Sequence, residues 1–445
     1  MAILSKWPKK AAPLGHLSST EFWYIFAGFL LITFGVLRQW SEKSPITPAM
    51  VYFFLGLLCS PMFLDRIDLH KKDAGALEAI SEFIVIISVF SAALKLKLKH
   101  QERGTGRIFR LAIVAMILTV GASTWVAMGL LGFSLPLALL LAAILAPTDP
   151  VLAASVQVDH KDDRDVVRQA LTGEAGVNDS SAFPFVYLAV CFLGFRELGS
   201  YGLTWILRDV LYGIGGAAAI GLICGAGTAR GIAKARAHGY ESLVLDDFVA
   251  VGLMAISYGL GVLSHTYGFV AVFVAGLAFR WFFERHNVET EEEKQGTSRD
   301  NLGEMIRFHD QVERFGEVLG VMVVGSLTGS IDFNWRALAF AGLLFFLIRP
   351  AATTLSLLGT KTTFNQKALI GWLGIRGIGS IYYLAHVAAH GLSEDFTAKL
   401  TEIVVPVIVA SIFLHGATSN FLMSRYRKKA RAAAGEAAMG TAGNA

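Results

Sequence analysis

The chain has 445 residues, of which 54% are hydrophobic and only 17% charged, and its mean hydropathy is +0.54. Soluble domains carry about 25% charged residues, so an ordinary soluble protein is excluded; apolar runs long enough to span a bilayer recur from end to end. The net charge of +4 comes from Lys and Arg in short breaks between those runs, which is how membrane proteins distribute basic residues, and it excludes nucleic acid as the expected partner in favour of a lipid bilayer.

Reading apolar runs against polar breaks predicts about 13 membrane spans. They fall near residues 22–38, 49–63, 78–97, 108–131, 136–156, 167–195, 203–230, 243–263, 268–284, 311–329, 335–357, 367–390 and 397–423. The first run follows Lys6, Lys9 and Lys10 and ends at Arg38 without a small-residue cleavage pattern, so it is read as a retained helix and not a signal peptide. Residues 1–21 form an N-terminal segment, 22–424 the membrane domain, and 425–445 a basic, disordered tail. Residues 285–310, with Glu289, Glu291, Glu292, Glu293 and Lys294, read as a solvated loop. An odd number of spans puts the two ends on opposite sides. The excess of Lys and Arg falls in the loops on the C-terminal side, which predicts the N-terminus outside and the C-terminus in the cytoplasm. Cys59, Cys191 and Cys224 lie in apolar stretches without paired spacing and are read as small buried hydrophobes.

Three motifs place polar groups inside apolar runs. In the fifth run, Ala146-Pro-Thr-Asp-Pro150 brackets a Thr-Asp pair with prolines. Proline removes a backbone donor, and freed backbone groups are tolerated in a membrane only where they are buried in protein or line a watery cavity. Thr148 and Asp149 offer the oxygen ligands that hard cations take. In the sixth run, Thr172-Gly-Glu-Ala-Gly-Val-Asn-Asp179 puts Glu174 and Asn178 four apart on one helix face, with Asp179 one step further round. An unpaired carboxylate in a bilayer costs at least about 2.5–3.5 kcal/mol, so it must be paired, cation-bound or protonated. A carboxylate that holds a cation and a proton in turn meets that condition and is enough to make exchange.

In the twelfth run, Gly371-Trp-Leu-Gly-Ile-Arg-Gly-Ile-Gly-Ser380 surrounds an arginine with glycines that weaken the helix. Arg376 needs an anion, and Glu174 is its expected partner. If spans 1–6 and 8–13 are two inverted six-helix repeats, both broken runs fall fifth in their repeat, which is the sequence pointer to a transporter binding site. Among weaker positions, Arg349 either snorkels to an interface or pairs with an intramembrane acid, and Glu317 lies in the tenth run. Asp246, Asp247, Arg280 and Asp332 read as solvated helix ends. His265, His386, His390 and His415 show no metal-ligand spacing; their functional alternative is pH sensing. Gly213-Ile-Gly-Gly216 reads as a close helix contact.

At the three motifs the sequence resembles the cation/proton antiporter family 1, the bacterial NhaP type, and the related fungal plasma-membrane sodium/proton antiporters. The resemblance runs from Phe53 to Asn420. It implies a 13-helix homodimer whose core half moves against a scaffold half, in a plasma (inner) membrane. It implies that Asp179 is the principal cation- and proton-binding carboxylate, assisted by Asp149 and Thr148. Asn178 stands where electrogenic relatives carry a second Asp, which implies one proton per sodium and electroneutral exchange. Glu174 and Arg376 are the implied structural ion pair, and Arg349 and Glu317 match recurrent charged positions. Ala175 stands where the family has Ser, and Ile375 where it often has Pro. The region Phe90-Ser-Ala-Ala-Leu94 lacks the carboxylate that some members carry, with Ser91 as the substitute oxygen.

The expected activity is therefore exchange of Na+, with Li+ or K+ as alternatives, for H+, with no cofactor beyond the transported ions. The other readings are a K+/H+ antiporter, a Na+-coupled carrier of an organic solute, and a cation channel. No filter motif is repeated as a channel would need, and no nucleophile–base or metal-ligand spacing supports an enzyme.

Overall fold

The computed structural model describes residues 19–41, 47–67, 74–96, 102–149, 165–238, 246–287, 301–332 and 334–442, with Val156, Val158 and Asp163. Among the described residues the regular structure is entirely helical. Two units are distinguished. The first, Met1–Pro48, contains α1 (Ser19–Ser41), a strongly apolar helix that matches the first expected span. The second, Ala49–Ala445, holds everything else.

In that second unit the helices are α2 (Pro48–Cys59), α3 (Ala74–Lys95), α4 (Thr105–Leu131), α5 (Leu135–Leu145), α6 (Val166–Ser181), α7 (Phe183–Phe192), α8 (Ser200–Ala237), α9 (Asp246–Leu263), α10 (Gly268–Asn287), α11 (Asn301–Thr328), α12 (Trp335–Ser356), α13 (Phe364–Trp372), α14 (Ile378–Ala389) and α15 (Glu394–Ala442). Five of them (α3, α4, α8, α12 and α15) are long and apolar enough to cross a membrane on length and composition alone.

Local chemistry sets the boundaries that matter. Asp165 caps α6 by accepting from the backbone N–H groups of Val167 and Arg168, both at 3.0 Å. Thr363 and Gln366 form a reciprocal capping box at the start of α13. Pro184, in the first turn of α7, divides the expected sixth span into α6 and α7. The fifth span is helical only to Leu145. Ala146, Pro147, Thr148 and Asp149 leave the helix, and residues 150–155 lie outside the described ones. The twelfth span is likewise divided, with Leu373–Gly377 as irregular chain between α13 and α14. The break expected in the twelfth span is thus present, and the helix of the fifth ends where its break is expected.

Two expectations about soluble segments are corrected. Residues 301–310 are not loop but the first turns of α11, because Leu302, Met305, Ile306 and His309 repeat on one helical face and are buried. Residues 288–300, which hold the acidic stretch, lie outside the described residues. The tail, expected to be disordered, continues α15 as far as Ala442; its alanines have the highest helix propensity of any residue.

Helix α3 is the hub, packing against α14, α10, α11 and α6. Helices α8 and α10 pack along their length. A Cβ added at Gly221 or Gly225 would lie 2.3 Å from the carbonyl oxygen of Ala271 or Ala275, so these backbones approach as closely as only glycine permits. Gly213 and Gly216, expected at a close helix contact, lie against the side chains of Tyr267 and Thr266. Cys59, Cys191 and Cys224 are free thiols, two buried and one partly so.

Candidate cation site

Interrupting two helices inside a membrane frees backbone carbonyls at one end and N–H groups at the other. Here the two interruptions satisfy one another. The backbone N–H of Asp149 donates to the carbonyl of Ile375 at 2.8 Å. In return the backbone N–H of Ile378 donates to the Asp149 carboxylate. At the end of α5, the Ile144 carbonyl accepts from the Ser380 hydroxyl at 2.8 Å and the Pro147 carbonyl from the Arg376 guanidinium at 2.9 Å. An acid therefore caps the N-terminus of α14 and a base faces the C-terminal end of α5, each opposite in sign to the helix dipole it meets. Arg376 is fully buried (0% exposed), and its own N–H donates to the Ser411 hydroxyl of α15 at 2.8 Å.

Asp179 lies beside this crossing, 1% exposed. The Tyr383 hydroxyl donates to its backbone carbonyl, but neither carboxylate oxygen has a hydrogen-bond partner among the described residues. The carboxylate rests on the first turn of α14: a Cβ added to Gly379 would be 2.9 Å from Oδ1. Only a residue without a side chain lets an acid approach the helix backbone there. The neighbouring Asn178 donates to the Thr148 hydroxyl at 2.9 Å, and its own amide oxygen is buried without a partner. Asp179, Asn178, Thr148 and Asp149 are all buried. The structure thus brings together oxygens of carboxylate, amide and hydroxyl, the donor set that a hard cation takes.

The expected Glu174–Arg376 pair is corrected. Glu174 forms its ion pair with Arg349 of α12, at 2.6 Å from Nη1 to Oε1 and 2.7 Å from Nη2 to Oε2, with both side chains buried. The reason is steric. A Cβ at Gly374 would stand 2.5 Å from Arg349 Nε, so the interrupted chain leaves Arg349 a passage to Glu174, while Arg376 is spent on the Pro147 carbonyl. Arg349 does not snorkel.

Ser91 is not joined to the crossing either. It donates to Glu313 at 2.7 Å, together with Ser88 at 2.9 Å and Lys95 at 3.1 Å, and Lys95 also pairs with Asp310 at 2.6 Å. Sequence reasoning missed this network, although Ser88, Ser91 and Lys95 stand three and four apart on one face of α3. Glu317, one turn beyond Glu313, is half-buried. Arg280, expected at a solvated end, is 2% exposed and donates to the Leu94 carbonyl at 2.6 Å. Asp332 is exposed as expected, Asp247 is half-buried, and the Asp246 side chain lies outside the described residues. His415 is buried, bonded through Nδ1 to Ser411.

On the other side of Asp179, Phe183 stacks on Tyr267 (4.8 Å between centroids) and meets Tyr383 edge-on at 5.0 Å. Phe183 and Tyr267 line a cavity of about 810 Å³ together with Glu78, Tyr187, Asp209, His386 and His390.

A helical membrane fold with two crossed, mutually capped helix interruptions and a buried acid beside them is that of an ion-coupled transporter. The structure is similar to that of the sodium proton antiporter MjNhaP1 from Methanocaldococcus jannaschii, with a TM-score of 0.68 at 19% identity, covering 91% of this chain and 98% of that one. The profile of the family described as "Sodium/hydrogen exchanger, transmembrane" matches residues 28–425, and the chain belongs to that family, whose members are transporters and not enzymes.

Three relatives illustrate its range. A Na(+)/H(+) antiporter of Saccharomyces cerevisiae is 27% identical over 88% of this chain and 40% of its own length. The Na(+)/H(+) antiporter NhaH of Halobacillus aidingensis is 25% identical over 86% of this chain and 92% of its own. The K(+)/H(+) antiporter NhaP of Alkalimonas amylolytica is 26% identical over 86% of this chain and 63% of its own. The chain spans less than half the length of three of the fungal relatives it matches and 89% of a fourth.

Proposed function

We propose that this protein exchanges Na+ for H+ across a plasma membrane, with Asp179 holding the two ions in turn. The observation that carries this reading is the Asp179 carboxylate: buried, without a donor among the described residues, and laid on the N-terminal turn of α14 beside Asn178 and Thr148. Such a group is stable in a membrane only when it is protonated or cation-bound, so loading one ion unloads the other. Asp149, already accepting from Ile378, is the second carboxylate at the site. With Asn178 in place of another acid, one charge exchanges for one, and transport is electroneutral.

Alternating access moves the crossing relative to the surrounding helices, in a homodimer of about 13 spans per chain arranged as two inverted repeats. The Lys- and Arg-rich side, including the C-terminus, faces the cytoplasm and the N-terminus lies outside. The K(+)/H(+) relative supports K+ as the second substrate reading.

The test is exchange in proteoliposomes with Na+, Li+ and K+, for the wild type and Asp179→Asn. We expect cation-driven proton movement that is unchanged when the membrane potential is clamped, an apparent cation affinity that falls as the pH is lowered, and no exchange by the variant. Wild-type exchange by Asp179→Asn would overturn the assignment.

A further inference from the structure

The cavity lined by Phe183 and Tyr267 contains a cluster that the exchange mechanism does not use. His386, in the last turn of α14, and His390, which ends that helix, stand four residues apart on one face. Glu78, near the start of α3, faces both: its Oε1 lies 2.7 Å from His386 Nδ1 and 3.8 Å from His390 Nδ1. One donor atom from each of the three residues lies within 4.8 Å of the other two.

We infer that Glu78, His386 and His390 form a binding site for a divalent transition-metal ion, zinc foremost, that ties α14 to α3. Two imidazole nitrogens and one carboxylate oxygen suit zinc better than a hard cation such as Na+ or Mg2+. Ligand atoms around a tetrahedral zinc ion stand roughly 3.3 Å apart, given bonds of about 2.0 Å, so the three side chains need only small rotations to close on an ion. The cavity leaves room for water in a fourth position.

The surroundings agree. The Tyr187 hydroxyl lies 3.3 Å from His386 Nε2, so when Nδ1 binds the metal the other ring nitrogen has a partner that holds the ring in orientation. Glu82, one turn along α3 from Glu78, lines the same cavity. The two arginines of the cavity wall, Arg196 and Arg208, are both tied to Asp209 at 3.0 and 2.9 Å. With Glu78, Glu82 and Asp209 against Arg196 and Arg208, the cavity lining carries an excess of acid, a field that attracts a dication.

The helix that carries His386 and His390 is the same one whose first turn holds Asp149 and Asp179, one helix length of about 18 Å away. A metal ion joining its far end to α3 holds α14 still, and on the exchange reading above it inhibits transport from the cavity side.

The test has a binding arm that does not depend on transport. Purified tag-free protein in detergent is titrated with zinc by calorimetry and with Co2+ by its visible absorption, with Mg2+ as control. The wild type binds one ion per chain, and Co2+ gives the spectrum of nitrogen–oxygen coordination. The double substitution His386→Ala with His390→Ala, and separately Glu78→Gln, lower the affinity by at least about tenfold, the loss that follows even from removing an outer-shell partner. Thermal melts without metal show that the variants are folded; His386→Gln with His390→Gln replaces the alanine pair if it is not. In proteoliposomes zinc inhibits the wild type and spares the variants. Zinc binding that is absent in the wild type, or equally tight in the folded variants, overturns the site whether or not exchange is observed. Binding that is lost in the variants while zinc leaves wild-type exchange unchanged overturns the clamp.

Discussion

Two buried acids are treated in opposite ways. Glu313 of α11 accepts from Ser88, Ser91 and Lys95, so each of its carboxylate oxygens has a donor and its charge a counter-ion. Asp179 of α6 has no donor for its carboxylate among the described residues, only a hydroxyl on its backbone carbonyl and a glycine beneath it. A fully satisfied acid is a fastening, because any change of partner costs desolvation. An unsatisfied one is open to a partner from elsewhere, which is the basis of the exchange proposed for it. Burial is common to both; hydrogen-bond accounting tells them apart.

That contrast can be broken most directly at its two ends. Asp179→Asn should reduce exchange to the level of empty liposomes while leaving the thermal midpoint in detergent at or above wild type, since no protein partner is stranded. Glu313→Gln or Lys95→Met should do the reverse. Removing one member of a buried pair costs about 3–5 kcal/mol, so a large drop in thermal midpoint is expected, and Lys95→Met with Glu313→Leu should recover part of it. A Glu313 variant of unchanged stability that lost only transport would erase the distinction.

The reassigned ion pair sharpens the comparison at a smaller scale. In a double-mutant cycle read by thermal or chemical denaturation, Glu174→Gln should couple to Arg349→Met by about 1–3 kcal/mol and to Arg376→Met by less than about 0.5 kcal/mol. Equal coupling would mean that Arg376 shares the carboxylate. Next in size, Gly379→Ala inserts a methyl at 2.9 Å from Asp179 Oδ1. The folded variant should need about tenfold more cation for half-maximal exchange, the equivalent of about 1.4 kcal/mol. Thr148→Val removes the acceptor of the Asn178 amide and should cost about 1 kcal/mol, a several-fold rise in the same quantity.

Much of the site was legible from local chemistry. Pro147, and the glycines around Arg376, each act over a few residues, so the interruptions at 146–149 and 373–377 are stated by the chain itself. An acid in an apolar helix declares its own cost, which is how Asp149, Glu174 and Asp179 stood out. What misled was partner choice. Glu174 and Arg376 carry opposite charges in two of the three motifs, but Arg349 reaches the acid because Gly374 leaves it room. Ser91 stood near the expected site in sequence register yet faces Glu313. His386 and His390 had a shared helix face but no visible third ligand until α3 brought Glu78 to them.

The sequence by itself determined that this chain lives in a membrane, where its helices break, and which side chains are too costly there to be incidental. These are properties of composition and of short segments, settled by solvation and backbone stereochemistry. Only the tertiary structure decided which costly groups cancel and which stay open. That depends on side chains such as Glu174 and Arg349, 175 positions apart, meeting through packing, and no local rule encodes the fit of one helix against another.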